Sequence, residues 1–194
     1  MTTLTMQEIT QFWIRVYFGT TNPQDLRLAT IDRAYRDFNR TMHGIRNVQN
    51  EQSYKNLRNF INKIVSQVIN EKFNQTEFDN WHKLQCSRLK EEFYSELKYN
   101  ITYGQAQKWI NMTLKYLFAI GRDIIPNIDR NYSFFHIPLD NIIQDKLVGM
   151  NIPRIPTSWS RIDNYDVYME YQLLVRRTFS GQIPMDVEFR LFNE

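Results

Sequence analysis

Gly104-Gln-Ala-Gln-Lys108-Trp-Ile-Asn-Met-Thr-Leu-Lys115-Tyr-Leu117 is the stretch on which the fold turns. It predicts a helix from about Gly104 to Ile120, stopped by Gly121, with Lys115 two turns along from Lys108. Further on, His136-Ile-Pro-Leu-Asp140 opens another apolar segment, and Asp140 lies 32 residues after Lys108. That interval holds one helix of about 15 residues, a loop and a return to the same end of a helical bundle. The spacing therefore predicts that Lys108 and Asp140, a nucleophile and a carboxylate at two helix starts, face one cleft.

Working outward, proline punctuates the chain unevenly. Only Pro23 falls in the first 125 residues, whereas Pro126, Pro138, Pro153, Pro156 and Pro184 crowd the rest, which predicts long helices first and short ones later. Residues 5 to 18 read as a helix capped by Thr5 with Glu8 completing a capping box, its apolar face made of Ile9, Phe12, Trp13 and Val16 and its end marked by Gly19. A second helix from about 24 to 44 carries Leu28, Ile31, Tyr35, Phe38 and Met42 on one stripe, with Gly44 as its terminal cap. A third runs from about 51 to 73 and a fourth from Thr76, capped with Asp79, to about Tyr99. Beyond the central helix, residues 122 to 136 read as a loop, Pro138 fits the first turn of a short helix to about Val148, and 151 to 159 excludes a continuous helix. Asp163 to Phe179 and Val187 to Phe192 supply two more helices. The expectation is an all-α, single-domain helical bundle over residues 1–194, without internal repeat or Gly/Ser-rich linker.

Composition sets the outer limits. At 194 residues with 42% hydrophobic and 14% aromatic residues, the chain has the material for a sizeable packed interior. Its 24 Lys and Arg against 21 Asp and Glu leave a net charge of only +3, so any nucleic-acid contact must come from charge distribution. One cysteine, Cys86, excludes an intrachain disulfide and fits a reducing compartment. No basic region with an apolar run opens the chain, and no stretch approaches the roughly 18 apolar residues of a membrane span. The reading expects a soluble, cytoplasmic protein with no membrane partner.

The arrangement around Lys108 and Asp140 resembles the helix-hairpin-helix DNA glycosylases, in which a hairpin leads into a lysine-bearing helix and a Pro-x-Asp turn opens a later one. It is most similar to the archaeal 8-oxoguanine branch. Lys108, Lys115 and Ile137-Pro138-Leu139-Asp140 match in type and interval, over roughly residues 98 to 150. The resemblance implies a helix-hairpin-helix-like element and a DNA-repair enzyme that excises a modified purine such as 8-oxoguanine from double-stranded DNA. Lys108 would attack the anomeric carbon and form a Schiff base whose collapse cuts the strand, the lyase step. Asp140 would stabilise positive charge on the sugar. Such an attack needs a neutral amine, which burial among apolar walls such as Trp109 and Met112 favours. No cofactor is required.

The resemblance also nominates substrate contacts. Tyr99 to Gln107 occupies the place of the phosphate-gripping hairpin, where Gly104 and Gln105 would present backbone amides to DNA, although only one glycine of the usual pair is present. Trp81, beside Phe78 and His82, stands for the aromatic plate that sandwiches a flipped base. Ile183-Pro-Met-Asp186 is similar to a base-reading segment, with Asp186 the reader and Arg190 where that segment has an aromatic ring.

Two other readings stand beside this one. Arg36 to His43, with Asp37 after the arginine, fits the short pattern of the HEPN ribonucleases, in which arginine and histidine act on an RNA phosphodiester. With Arg33 and Arg40 the same residues also suit a solvated or phosphate-contacting basic face. The third reading is a catalytically silent scaffold that binds nucleic acid or protein. His43, His82, His136 and Cys86 lack the tight spacing of zinc ligands, and neither a Gly-rich phosphate loop nor a Gly-x-Ser-x-Gly elbow occurs.

Overall fold

Burial of one helix organises the chain. The computed structural model describes residues 3–194 and, among them, nine α-helices and no strand. These are α1 (Met6–Phe18), α2 (Pro23–Phe38), α3 (Ile45–Val48), α4 (Glu51–Asn70), α5 (Gln75–Leu97), α6 (Tyr103–Ile120), α7 (Asn141–Val148), α8 (Tyr165–Thr178) and α9 (Pro184–Asn193). The chain is all-α, as its patterning predicts. No helix among the described residues is long and apolar enough to cross a membrane.

Every residue of α6 from Gly104 to Lys115 is buried, with α2, α5 and α8 packed around it. A helix enclosed on all sides is normally apolar throughout. Here Gln105, Gln107, Lys108, Asn111, Thr113 and Lys115 go inside with Trp109, Ile110 and Leu114. Burial of polar groups is costly unless each finds a partner, and most of these do. Trp109 stacks on Phe38 with ring centroids 5.3 Å apart and donates its indole N–H to the Ile31 carbonyl of α2 at 3.0 Å. Asn111 accepts from the His82 ring at 2.9 Å and donates to Gln107 Oε1 and the Tyr168 hydroxyl, both at 2.9 Å. Since Asn111 Oδ1 can only accept, His82 carries its proton on Nε2, and its Nδ1 accepts from the Tyr165 hydroxyl at 2.7 Å.

The element boundaries that differ from expectation do so for local reasons. Helix α2 ends at Phe38, six residues before Gly44, because a 3-10 turn follows and the Thr41 hydroxyl takes the Phe38 carbonyl at 2.7 Å. Gly44, at φ 78°, starts α3 instead of closing α2. At α5 the cap is Asn74 with Glu77, two residues upstream of the expected Thr76 and Asp79. Asp79 is drawn inward, accepting both guanidinium nitrogens of Arg176 at 2.8 Å and the His136 ring at 2.7 Å.

Thr5 and Glu8 form the predicted capping box on α1, and Gly19 ends it. The stripe Ile9, Phe12, Trp13 and Val16, expected to face the core, is exposed. Helix α1 rests mainly on α2 and buries only Ile14, with Phe18 partly covered, so its most apolar arc lies outside the bundle. The expected loop after α6 has an anchor the spacing does not announce. Buried Asn131 donates to the Val68 and Glu71 carbonyls at 2.7 and 2.8 Å and accepts from the Phe73 amide, satisfying the open end of α4.

Candidate active site

Two helix caps create the site. Thr102 caps α6 by accepting from the Gln105 amide, which places Lys108 one and a half turns into a helix already fixed against the core. Asp140 caps α7, its Oδ1 accepting from the Ile143 amide at 2.9 Å. Its Oδ2 accepts from Lys108 Nζ at 2.5 Å. Gln107, next to Lys108, accepts from the Leu139 amide at 3.2 Å and donates to the Leu139 carbonyl at 3.1 Å. Because Gln107 uses both backbone groups of Leu139, this residue stays outside a helix, and α7 starts at Asn141 and not around Pro138.

The pair lies in a cavity of about 610 Å³ between α2, α6, α7 and α9. Lys108 is only 3% exposed, so it is not a solvated residue near a helix start. Met112, Ile142, Trp159 and Phe189 supply apolar wall, and the Trp159 ring centroid is 6.0 Å from Lys108 Nζ. Trp109, expected in that wall, faces α2 instead. In size the cavity suits a small organic group, since sites for such ligands run from about 300 to 1,000 Å³.

A second buried pair shares the cavity, and the sequence reading does not anticipate it. Lys115 Nζ lies 2.7 Å from Glu188 Oε1 and 2.6 Å from Oε2, and it sits over the Phe189 and Phe192 rings at 4.8 and 4.6 Å. Burial pushes the Glu188 carboxyl above the usual carboxylate range, against the pull of Lys115. On one side of the rim, the Tyr17 hydroxyl donates to that of Tyr116, which donates to Asp37 at 2.5 Å. Arg33 pairs with Asp37 at 2.6 Å and stacks over Tyr17 at 4.6 Å. Burial and then the bond to Asp37 push the Tyr116 phenol up, so it is a neutral donor.

The remaining nominated residues are placed elsewhere. Trp81 packs against Phe73 and Phe78 and donates its indole N–H to Gln67 at 3.1 Å, away from the cavity. The Gly104 amide is taken by the Ile162 carbonyl at 2.8 Å, and a Cβ on Gly104 would stand 1.7 Å from the Trp159 carbonyl oxygen. Its lack of a side chain thus serves close backbone packing. The Gln105 side chain closes the Thr102 capping box and donates to Thr41. Asp186 accepts from the Tyr132 hydroxyl at 2.5 Å outside the cavity wall. Glu188, two residues on and roughly 200° around the helix, is the α9 carboxylate that lines it. Arg36 and His43 share no helix, since α2 stops between them. Among the described residues no group of three or more His, Cys, Asp and Glu could hold a metal ion.

Comparison of the chain with known protein families, with curated proteins and with solved structures returns no match.

Proposed function

We propose that this protein is a DNA glycosylase with lyase activity that excises a modified purine, such as 8-oxoguanine, through a Schiff base on Lys108. The reading rests on one observation above all: a buried lysine amine 2.5 Å from a carboxylate in a cavity large enough for a base. The residue types and interval of Lys108, Lys115 and Ile137 to Asp140, similar to those of the helix-hairpin-helix glycosylases, add to it.

In this reading Asp140 takes a proton from Lys108, freeing the Nζ lone pair to form a bond to C1′ of the nucleotide. The glycosidic bond breaks, and its electron pair leaves with the base nitrogen, which acquires a proton. The hemiaminal ether at C1′ then opens: a proton from Nζ passes through Asp140 to the ring oxygen, which departs as a hydroxyl as the Nζ lone pair forms the iminium. Loss of a C2′ proton expels the 3′ phosphate. Asp140 gives that base nitrogen the proton it took and, a carboxylate again, offsets the positive charge that develops on the sugar, the kind of contact that acts mainly in the transition state. Met112 and Trp159 exclude water from the amine.

The test incubates the protein with duplexes that each carry a different damaged base and adds borohydride. A covalent adduct that forms with wild type and not with Lys108→Gln supports the reading. If no duplex gives an adduct or base release, the scaffold is catalytically silent, and cleavage confined to RNA would assign the chain to the ribonucleases.

A further inference from the structure

A groove beside the cavity is lined by basic side chains and by no acid. It encloses about 610 Å³ where α2 gives way to α3 and is lined by Asn39, Arg40, His43, Arg46 and Asn47 around a floor that includes Tyr35. No Asp or Glu lines it, although acids and bases nearly balance over the whole chain. Among the described residues, the side chains of Arg40, His43 and Arg46 make no hydrogen bond or ion pair. Arg33 and Arg58, by contrast, are neutralised by Asp37 and Asp32. Arg40 lines the groove and the Lys108 cavity alike, so the two depressions adjoin. Arg36, on the last turn of α2 and four residues before Arg40, is also exposed and unpaired.

Uncompensated cations in a groove are an electrostatic site for a polyanion. The alternative anchor is closed, because the Gly104 amide is already bonded and the space before it holds the Trp159 carbonyl. We infer that the groove between Arg40 and Arg46 holds the sugar–phosphate backbone of the DNA strand whose base enters the Lys108 cavity. The inference rests on the glycosylase reading for the identity of the strand. Arg40 sits where the backbone passes from groove to cavity, and His43 and Arg46 take phosphates further along. Asn39 and Asn47 add uncharged hydrogen bonding. Gly44 lets the chain turn between His43 and Arg46 at φ 78°, a conformation that other residues rarely adopt.

Phosphate contacts are independent of sequence and of damage. An ordinary fluorescent duplex is therefore the probe, and its affinity is measured by anisotropy over a range of salt. Wild type should bind with a steep salt dependence. Arg46→Ala should weaken binding severalfold and flatten the slope of log K against log salt by about 1, and Arg40→Ala with Arg46→Ala should flatten it further. Arg122→Ala, at an exposed cation outside both depressions, should leave the slope alone, and thermal unfolding checks that each variant is folded. Wild-type binding whose slope is unmoved by Arg46→Ala, or the absence of salt-dependent binding to the duplex, overturns the groove. Borohydride trapping is read separately. Salt-sensitive binding through Arg46 without any adduct supports the groove while removing the glycosylase mechanism, and an adduct with an unmoved slope does the reverse.

Discussion

Exchanging the two members of the Lys108–Asp140 pair one at a time should give unequal losses of stability, because the pair is buried unequally. The separation is 2.5 Å, with 4% of the Lys108 side chain and 25% of the Asp140 side chain exposed. The gross attraction of unit charges at that distance is about 7 kcal/mol at an effective dielectric of about 20. Desolvation of the ammonium cancels several kcal/mol of this, so the pair itself contributes little net stability. Removal of one partner is different, since the other charge is left behind. In Lys108→Gln the remaining carboxylate keeps the Ile143 amide and some water, and glutamine can still donate to it, so the cost should be about 1–2 kcal/mol. In Asp140→Asn the helix cap survives, because asparagine caps as well as aspartate, but an ammonium stays buried without its counter-ion. That should cost about 3 kcal/mol, the low end for a broken buried pair. Urea unfolding of both variants, with unchanged slopes, reads the difference directly. Losses below about 0.5 kcal/mol in both, the range of surface substitutions, or a larger loss for Lys108→Gln, would refute the reasoning.

Gly104→Ala should destabilise the protein by about 2 kcal/mol or more, since its Cβ would meet the Trp159 carbonyl oxygen at 1.7 Å and overpacking costs roughly 1–3 kcal/mol; a neutral result in thermal unfolding would mean that this contact opens freely. Burial holds the His82 and His136 imidazoles below their ordinary value, so an unfolded chain takes up protons on both, below about pH 6.5, before the native state does. Their contribution is thus complete above about pH 6.5 and is lost as pH falls, by up to about 2.7 kcal/mol per pH unit for the two together; a flat unfolding profile from about pH 7 to pH 5 would contradict this. Trp13→Ser should change stability by no more than about 0.5 kcal/mol, because Trp13 is 61% exposed, and a clear loss in urea would place the α1 stripe in a core. Asp140→Asn should still bind duplex DNA while slowing base release by orders of magnitude, as measured under single-turnover conditions.

Periodicity and capping residues reveal most of the helices, because those signals act within a few residues of where they are written. Thr5 with Glu8 starts α1, Gly19 ends it, and Gly121 ends α6, each as the local chemistry requires. The same reasoning fails where a local choice is overruled by a distant partner. Thr76 and Asp79 make a plausible cap, but Asp79 gains more from Arg176 and His136, which hold its carboxyl well below the usual range although burial works to raise it. Gly104 looks like a phosphate contact because glycine before a helix often is one, and only the approach of Trp159 and Ile162 shows its amide already engaged.

By itself the sequence determined the all-α class, the central helix with its two lysines, and an interval of 32 residues that is long enough for Asp140 to return to the Lys108 end. These follow from spacing along the chain, and spacing is a local quantity. Tertiary structure alone decided that Asp140 meets Lys108 and that Lys108 is buried, that Glu188 and not Asp186 lines the cavity and pairs with Lys115, and that the α1 stripe lies outside the bundle. It also decided that Arg40, His43 and Arg46 share a groove free of acids. Burial, pairing and the sign of a local field depend on which elements meet, and that meeting is fixed by packing over the whole molecule and not by any stretch within it.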